Sequence, residues 1–117
     1  GENVIKTSLL ITKDQSVLDV IFKTLVDKCV WSNMHKEEVY CAVPTNIPDG
    51  IYPDDWYKGT ISFADQLYHI YTSTITYGTI YDGAARAFDM TNLSVNETDR
   101  LIYFIDKQSG TLWQVEY

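Results

Sequence analysis

Leu101–Tyr117, LIYFIDKQSGTLWQVEY, places two runs of mixed apolar and polar residues on either side of Lys107-Gln108-Ser109-Gly110. Tyr103, Ile105, Leu112 and Val115 are aromatic, β-branched or bulky residues set among polar ones, and Gly110 supplies the positive φ that a short hairpin turn needs. The stretch reads as a β-hairpin. Working outward from it, the same grammar recurs: NLSV before a turn at Asn96–Asp99, and TISF, QLYHIYT and TIYDG separated by turn-compatible Ser, Thr and Gly. Ala84–Asn92 is a connection rich in small and polar residues.

Further upstream, CVWS and VYCAVP flank the polar stretch Asn33–Glu38, which predicts another hairpin. If its strands pair symmetrically about His35, Cys29 lies opposite Cys41, at a Cα separation within reach of the ~4.4–6.8 Å of a disulfide. Such a bridge would contribute on the order of 3 kcal/mol by restricting the unfolded chain. The alternative is two buried free thiols acting as small apolar residues. The two cysteines and two distant histidines have no ligand-pair spacing of a zinc site, so no zinc is expected and no metal ligand is assigned.

Residues 44–59, PTNIPDGIYPDDWYKG, interrupt the strand rhythm and predict a long loop inserted in the sheet. Tyr52, Asp54, Asp55, Trp56 and Tyr57 are its candidate binding residues, with the aromatics as anchors for a protein or glycan and the carboxylates as oxygen donors of the kind calcium takes. The competing reading is that Trp56 and Tyr57 fold back over a sheet edge while the acids are solvated.

The N-terminal part is ambiguous. Val4–Ile11 has strand character, but Val17, Leu18, Ile21, Phe22 and Leu25 recur at helical spacing, with Asp14 or Ser16 as a cap. Against a helix stand the β-branched Val17, Val20, Ile21 and Val26. Two fold classes follow: all-β, or α+β with one amphipathic helix at about residues 16–28.

With 117 residues, the chain makes a single domain, 1–117, or a fragment of one. Its net charge of −7 and scattered basic residues argue against nucleic acid as a partner. No apolar run approaches the roughly 18 residues of a membrane span, so no membrane insertion is expected. The chain begins at Gly1 without a Met, as a mature or excised fragment does. Chemistry is sparse. Asp54 and Asp55 are neighbours and cannot straddle a glycosidic bond as paired catalytic carboxylates do. His35 falls in a turn and His69 in a strand, neither with a nucleophile motif, and there is no Gly-rich phosphate loop. No cofactor and no catalytic residue is assigned, and a non-enzymatic role is expected. Two sequons, Asn92-Leu93-Ser94 and Asn96-Glu97-Thr98, complete the motifs.

Sliding the chain along itself sets Asn33 on Asn96, Val39 on Ile102 and Tyr40 on Tyr103, so one strand–turn–strand unit is followed by another. Without the 44–59 loop, the spacing nears the ~40–50 residues of a four-stranded propeller blade. Tyr68-His69-Ile70-Tyr71-Thr72-Ser73-Thr74 resembles the hairpins of TolB-like and related bacterial β-propellers, and Asn92–Tyr117 resembles the blade that follows them. The chain departs from that pattern at Tyr71 and Ile75, which stand where the repeat has Asp and Gly. Asp106–Trp113 also resembles the Asp-box of sialidases, but Gln108 stands where that motif has its Asp, two residues before the Gly, and the stretch reads better as a turn Gly followed by a sheet Trp.

The propeller resemblance implies antiparallel sheets in a propeller-blade-like arrangement of two to three blades. These would be an outer half-blade with Val17–Leu25 as a strand paired to Val4–Ile11, a full blade over Cys29–Gly83, and three strands of another. Such a set cannot close a ring, which implies self-association or completion by a partner strand. It also implies an extracytoplasmic, bacterial-type protein that recognises a protein or glycan, or else part of a propeller-type hydrolase whose catalytic residues lie partly elsewhere.

Overall fold

A computed structural model describes residues 8–11, 16–19, 24–52 and 54–117. They form antiparallel sheets and almost no helix. Strands β1 (Ser8–Ile11) and β2 (Ser16–Asp19) pair as a two-stranded ribbon with Leu9 opposite Leu18. Strands β3 (Cys29–Trp31), β4 (Glu38–Pro44), β5 (Asp65–Tyr71) and β6 (Thr76–Tyr81) form a four-stranded sheet in chain order. Strands β7 (Met90–Asn96), β8 (Leu101–Asp106) and β9 (Thr111–Glu116) form a three-stranded one, also in chain order. Both larger sheets are meanders with open edges.

The hairpin registers follow from turn chemistry. Gly110 adopts φ 71° in the turn between β8 and β9, and Phe104 pairs with Trp113. In the β3–β4 hairpin, Cys29 stands opposite Cys41, and the two are joined as a disulfide with Cα atoms 4.1 Å apart. Three expectations need correction. The expected strand Val17–Leu25 is formed over Val17–Asp19, but Thr24 and Leu25 are in no strand and Val26–Lys28 is a 3-10 turn; residues 20–23 lie outside the described ones, as does much of Val4–Ile11. The alternative helix at 16–28 is not formed, because Ser16–Asp19 is spent on the ladder with β1. TISF is no strand either: the Phe63 N–H donates to the Asp89 carboxylate instead of a neighbouring strand.

Alternation places the core. Tyr40 and Ala42 of β4 and Leu67 of β5 pack against Met90 of β7 and Ile102 and Phe104 of β8, with Phe88 between the sheets. Val39, Cys41, Val43, Tyr68 and Ile70 bury the opposite face of the same sheet. Strand β4 is thus covered on both faces, which is why VYCAV reads as an unbroken apolar run. Each such side chain contributes roughly 1.5–3 kcal/mol by leaving water. Strand β3 packs beside β7 and β6 beside β9, so the two sheets stack with their strands in the same order.

Glu97, in the β7–β8 turn, braces the stack. Its carboxylate accepts from Ser32 Oγ at 2.7 Å, from the N–H groups of Asn33 and Met34 at 2.6 and 2.9 Å, and from Tyr40 Oη at 3.1 Å. Burial pushes this carboxyl upward, but the four donors outweigh it and hold it below the ordinary glutamate range.

The turn joining β5 to β6 carries a strained residue. Ile75 sits at φ 53°, in the left-handed region that a β-branched side chain avoids. Ile75 is exposed, so its side chain contributes little packing in return. Ile75→Gly is therefore expected to raise stability by about 1 kcal/mol, read as a higher midpoint in urea with an unchanged slope.

Candidate functional site

The connections at one end of the sheets, 45–64, 82–89 and 107–110, converge on a buried lysine. Lys28 closes the 3-10 turn immediately before β3, and its side chain has no solvent exposure. Its Nζ donates to Asp65 Oδ2 at 2.5 Å, to Asp89 Oδ1 at 2.7 Å and to the Met90 carbonyl at 2.7 Å. Asp65 opens β5 and Asp89 immediately precedes β7, so sheet stacking brings together three charges distant in sequence.

Each carboxylate is held by further donors. Asp89 accepts from Trp56 Nε1 at 3.0 and 3.1 Å and from the Phe63 N–H at 3.1 Å. Asp65 Oδ2 also accepts from the Met90 N–H at 2.7 Å, whereas its Oδ1 is buried with no hydrogen-bond partner. Burial raises the Asp65 carboxyl to about 6 despite the opposing charge and hydrogen bond of Lys28. Asp106, buried beneath the cluster, accepts from the Asp89 N–H at 3.1 Å and from Ser109 Oγ at 2.8 Å, and Arg86 approaches it at 3.6 Å.

Aromatic rings wall the cluster off. Lys28 Nζ lies 5.0 Å from the centre of the Trp56 ring and 5.3 Å from that of Phe63, and Lys107 Nζ lies 5.2 Å from Trp56. Trp56 reaches this position from a single helical turn, α1 (Asp54–Tyr57), that the loop was not expected to contain.

The five candidate binding residues therefore separate. Trp56 is 2 % exposed and belongs to a small core with Leu25 and Phe63. Tyr52 is half-buried, stacks on Phe63 at 5.8 Å and donates its hydroxyl to the Pro48 carbonyl. Asp55 accepts from the Ile51 N–H at 2.8 Å, an internal loop contact, and Asp54 is exposed. Tyr57 is exposed and donates to Asp27 Oδ2 at 2.8 Å, a contact that raises its hydroxyl pKa. Of the aromatics meant as anchors, only Tyr57 faces outward, and the loop serves in part as a plug over the lysine.

Lys28 and Asp65 were missed as a site. The sequence signal was a charged residue directly against apolar strand residues, as in Lys28-Cys29-Val30 and Phe88-Asp89-Met90, which alternation alone reads as a strand end. The histidines stand apart: His35 is exposed in its turn, and His69 sits in β5 with Nε2 2.7 Å from Glu38 Oε1 and its ring 4.4 Å from Tyr40 and 4.5 Å from Tyr71.

Other surfaces carry no chemistry of this kind. Among the described residues, no group of three His, Cys, Asp or Glu side chains is placed to hold a metal ion, and no helix is long and apolar enough to cross a membrane. On the outer face of the three-stranded sheet, Leu101, Tyr103 and Ile105 are half-buried and Leu112 is 70 % exposed. Set against protein-family models, curated proteins and solved structures, the chain gives no match.

Proposed function

We propose that this chain is a non-enzymatic interaction module of propeller-like architecture that assembles through the β9 edge and the mixed outer face behind it, where Leu101, Tyr103, Ile105 and Leu112 lie beside Gln114 and Glu116. The observation that carries this reading is the same-order stacking of two chain-order meanders, β3 beside β7 and β6 beside β9. Continued once more, that stacking lays a further sheet on Leu101, Tyr103, Ile105 and Leu112 and a fourth strand along β9. The occupant is a sheet of the same kind from another copy of the chain. Among the described residues β9 has no further strand beside it, and such an edge next to exposed Leu112 favours pairing. The Cys29–Cys41 disulfide fits an oxidising, extracytoplasmic setting. Against a hydrolase stands the geometry of the carboxylates beside Lys28: Asp65 and Asp89 turn inward to its ammonium and are 1 % exposed each.

Sedimentation velocity over a concentration series tests the assembly. The chain is expected to self-associate, and Leu112→Lys, which places a charge on the exposed face, is expected to yield a monomer with an unchanged melting temperature. A wild-type chain that stays monomeric at the highest concentration would overturn the reading.

A further inference from the structure

The Lys28 cluster has a feature that an ion pair does not explain. Two carboxylates share one ammonium in a site without solvent, and one of their four oxygens, Asp65 Oδ1, has no partner at all. We propose that Lys28 and Asp65 condense into an intramolecular amide, with Asp89 as the proton carrier, making a covalent link between the start of β3 and the start of β5.

The atoms balance without any co-reactant. The Lys28 Nζ–Asp65 Cγ bond forms, and the Asp65 Cγ–Oδ1 bond breaks. Of the three ammonium hydrogens, one stays on the amide nitrogen and two leave with Oδ1 as water. Asp89 Oδ1, 2.7 Å from Nζ, removes the proton that frees the nitrogen lone pair and delivers protons to the departing oxygen, ending as it began. Nζ held 2.5 Å from Oδ2 of the carboxyl that it attacks, with neither side chain exposed to solvent, supplies the proximity that makes such a reaction effectively unimolecular.

The surroundings suit both partners and product. Trp56 Nε1 and the Phe63 N–H hold Asp89 ready beside the nitrogen, and the two rings exclude solvent from it. Burial that raises the Asp65 carboxyl favours its protonated form, which an amine attacks more readily than a carboxylate. After condensation, Asp65 Oδ2 is the amide carbonyl and keeps the Met90 N–H at 2.7 Å, while the amide N–H has Asp89 Oδ1 and the Met90 carbonyl as acceptors. The atom that leaves is the one buried side-chain oxygen or nitrogen without a partner among the described residues. Condensation therefore removes the cluster's single unsatisfied group.

Intact mass spectrometry of the denatured, disulfide-reduced chain reads the link directly. The expected mass is lower than the sequence mass by one water, and proteolysis is expected to release one species that joins the Lys28 and Asp65 peptides. Asp65→Ala is expected to restore the full mass and separate the peptides. Asp89→Asn keeps the volume and an acceptor but not the proton carrier, and is expected to leave a folded, unlinked chain, with folding judged by circular dichroism. A folded wild type at full sequence mass would overturn the proposal. So would a water loss mapped to Asp49-Gly50 or Asp82-Gly83, where a cyclic imide forms, or a linked species that persists in Asp65→Ala.

Discussion

Relative to the unlinked, ion-paired chain, Lys28→Met is expected to destabilise by about 3–5 kcal/mol, because it leaves two buried carboxylates facing one another with no counter-charge. Methionine matches the length of lysine, so the loss comes from charge and not from a cavity. Asp65 and Asp89 have 1 % exposure each, and neither can turn to water without opening the interface between the sheets. Against a typical domain stability of roughly 5–15 kcal/mol, a loss of that size brings the chain near unfolding at room temperature. Urea melts followed by tryptophan fluorescence would measure it, since Trp56 sits against the cluster. Adding Asp65→Asn and Asp89→Asn to the same chain is expected to recover much of the loss. The amide oxygens can still accept from Met90, Phe63 and Trp56, and the repulsion is gone. Failure of the triple variant to recover would mean that Lys28 acts through packing and not through its charge.

Trp56→Ala is expected to cost about 3–5 kcal/mol, the range for truncating a buried aromatic side chain. Three terms add: the apolar surface buried against Leu25 and Phe63, the indole donor to Asp89, and the ring beneath the Lys28 ammonium. A melting temperature lower by on the order of 10–20 °C should result. Tyr57→Ala, one residue away, is the control. Its ring is 54 % exposed, and its hydroxyl makes a single exposed hydrogen bond to Asp27. Its loss should stay under about 1 kcal/mol. Equal effects at the two positions would contradict the inward placement of Trp56.

The two neighbours show what pattern reading reaches and where it stops. Alternation and turn residues located the terminal hairpin, the β3–β4 hairpin and its cysteine register, because both depend on local rules: a period of two along a strand and a left-handed glycine or polar turn between strands. The loss of TISF as a strand was not legible in this way. Whether Phe63 joins a ladder depends on the Asp89 carboxylate arriving from the other sheet, and nothing near residue 63 encodes that arrival.

The loop at 44–59 was legible as a loop from its prolines and glycines, but not in its direction. Trp56 next to two aspartates has the composition of an exposed binding surface, and in solvent it would be one. Only a buried acceptor on a distant strand turns the indole inward.

Side-chain periodicity over a few residues was enough to mark the β3–β4 and β8–β9 hairpins and to set Cys29 opposite Cys41, while it left the N-terminal part open between strand and helix. Tertiary structure alone decided the buried meeting of Lys28, Asp65 and Asp89. Its members lie 37 and 61 positions apart, and only the stacking of one sheet on another removes the water between them, which turns three ordinary surface-type residues into a reactive, solvent-free cluster.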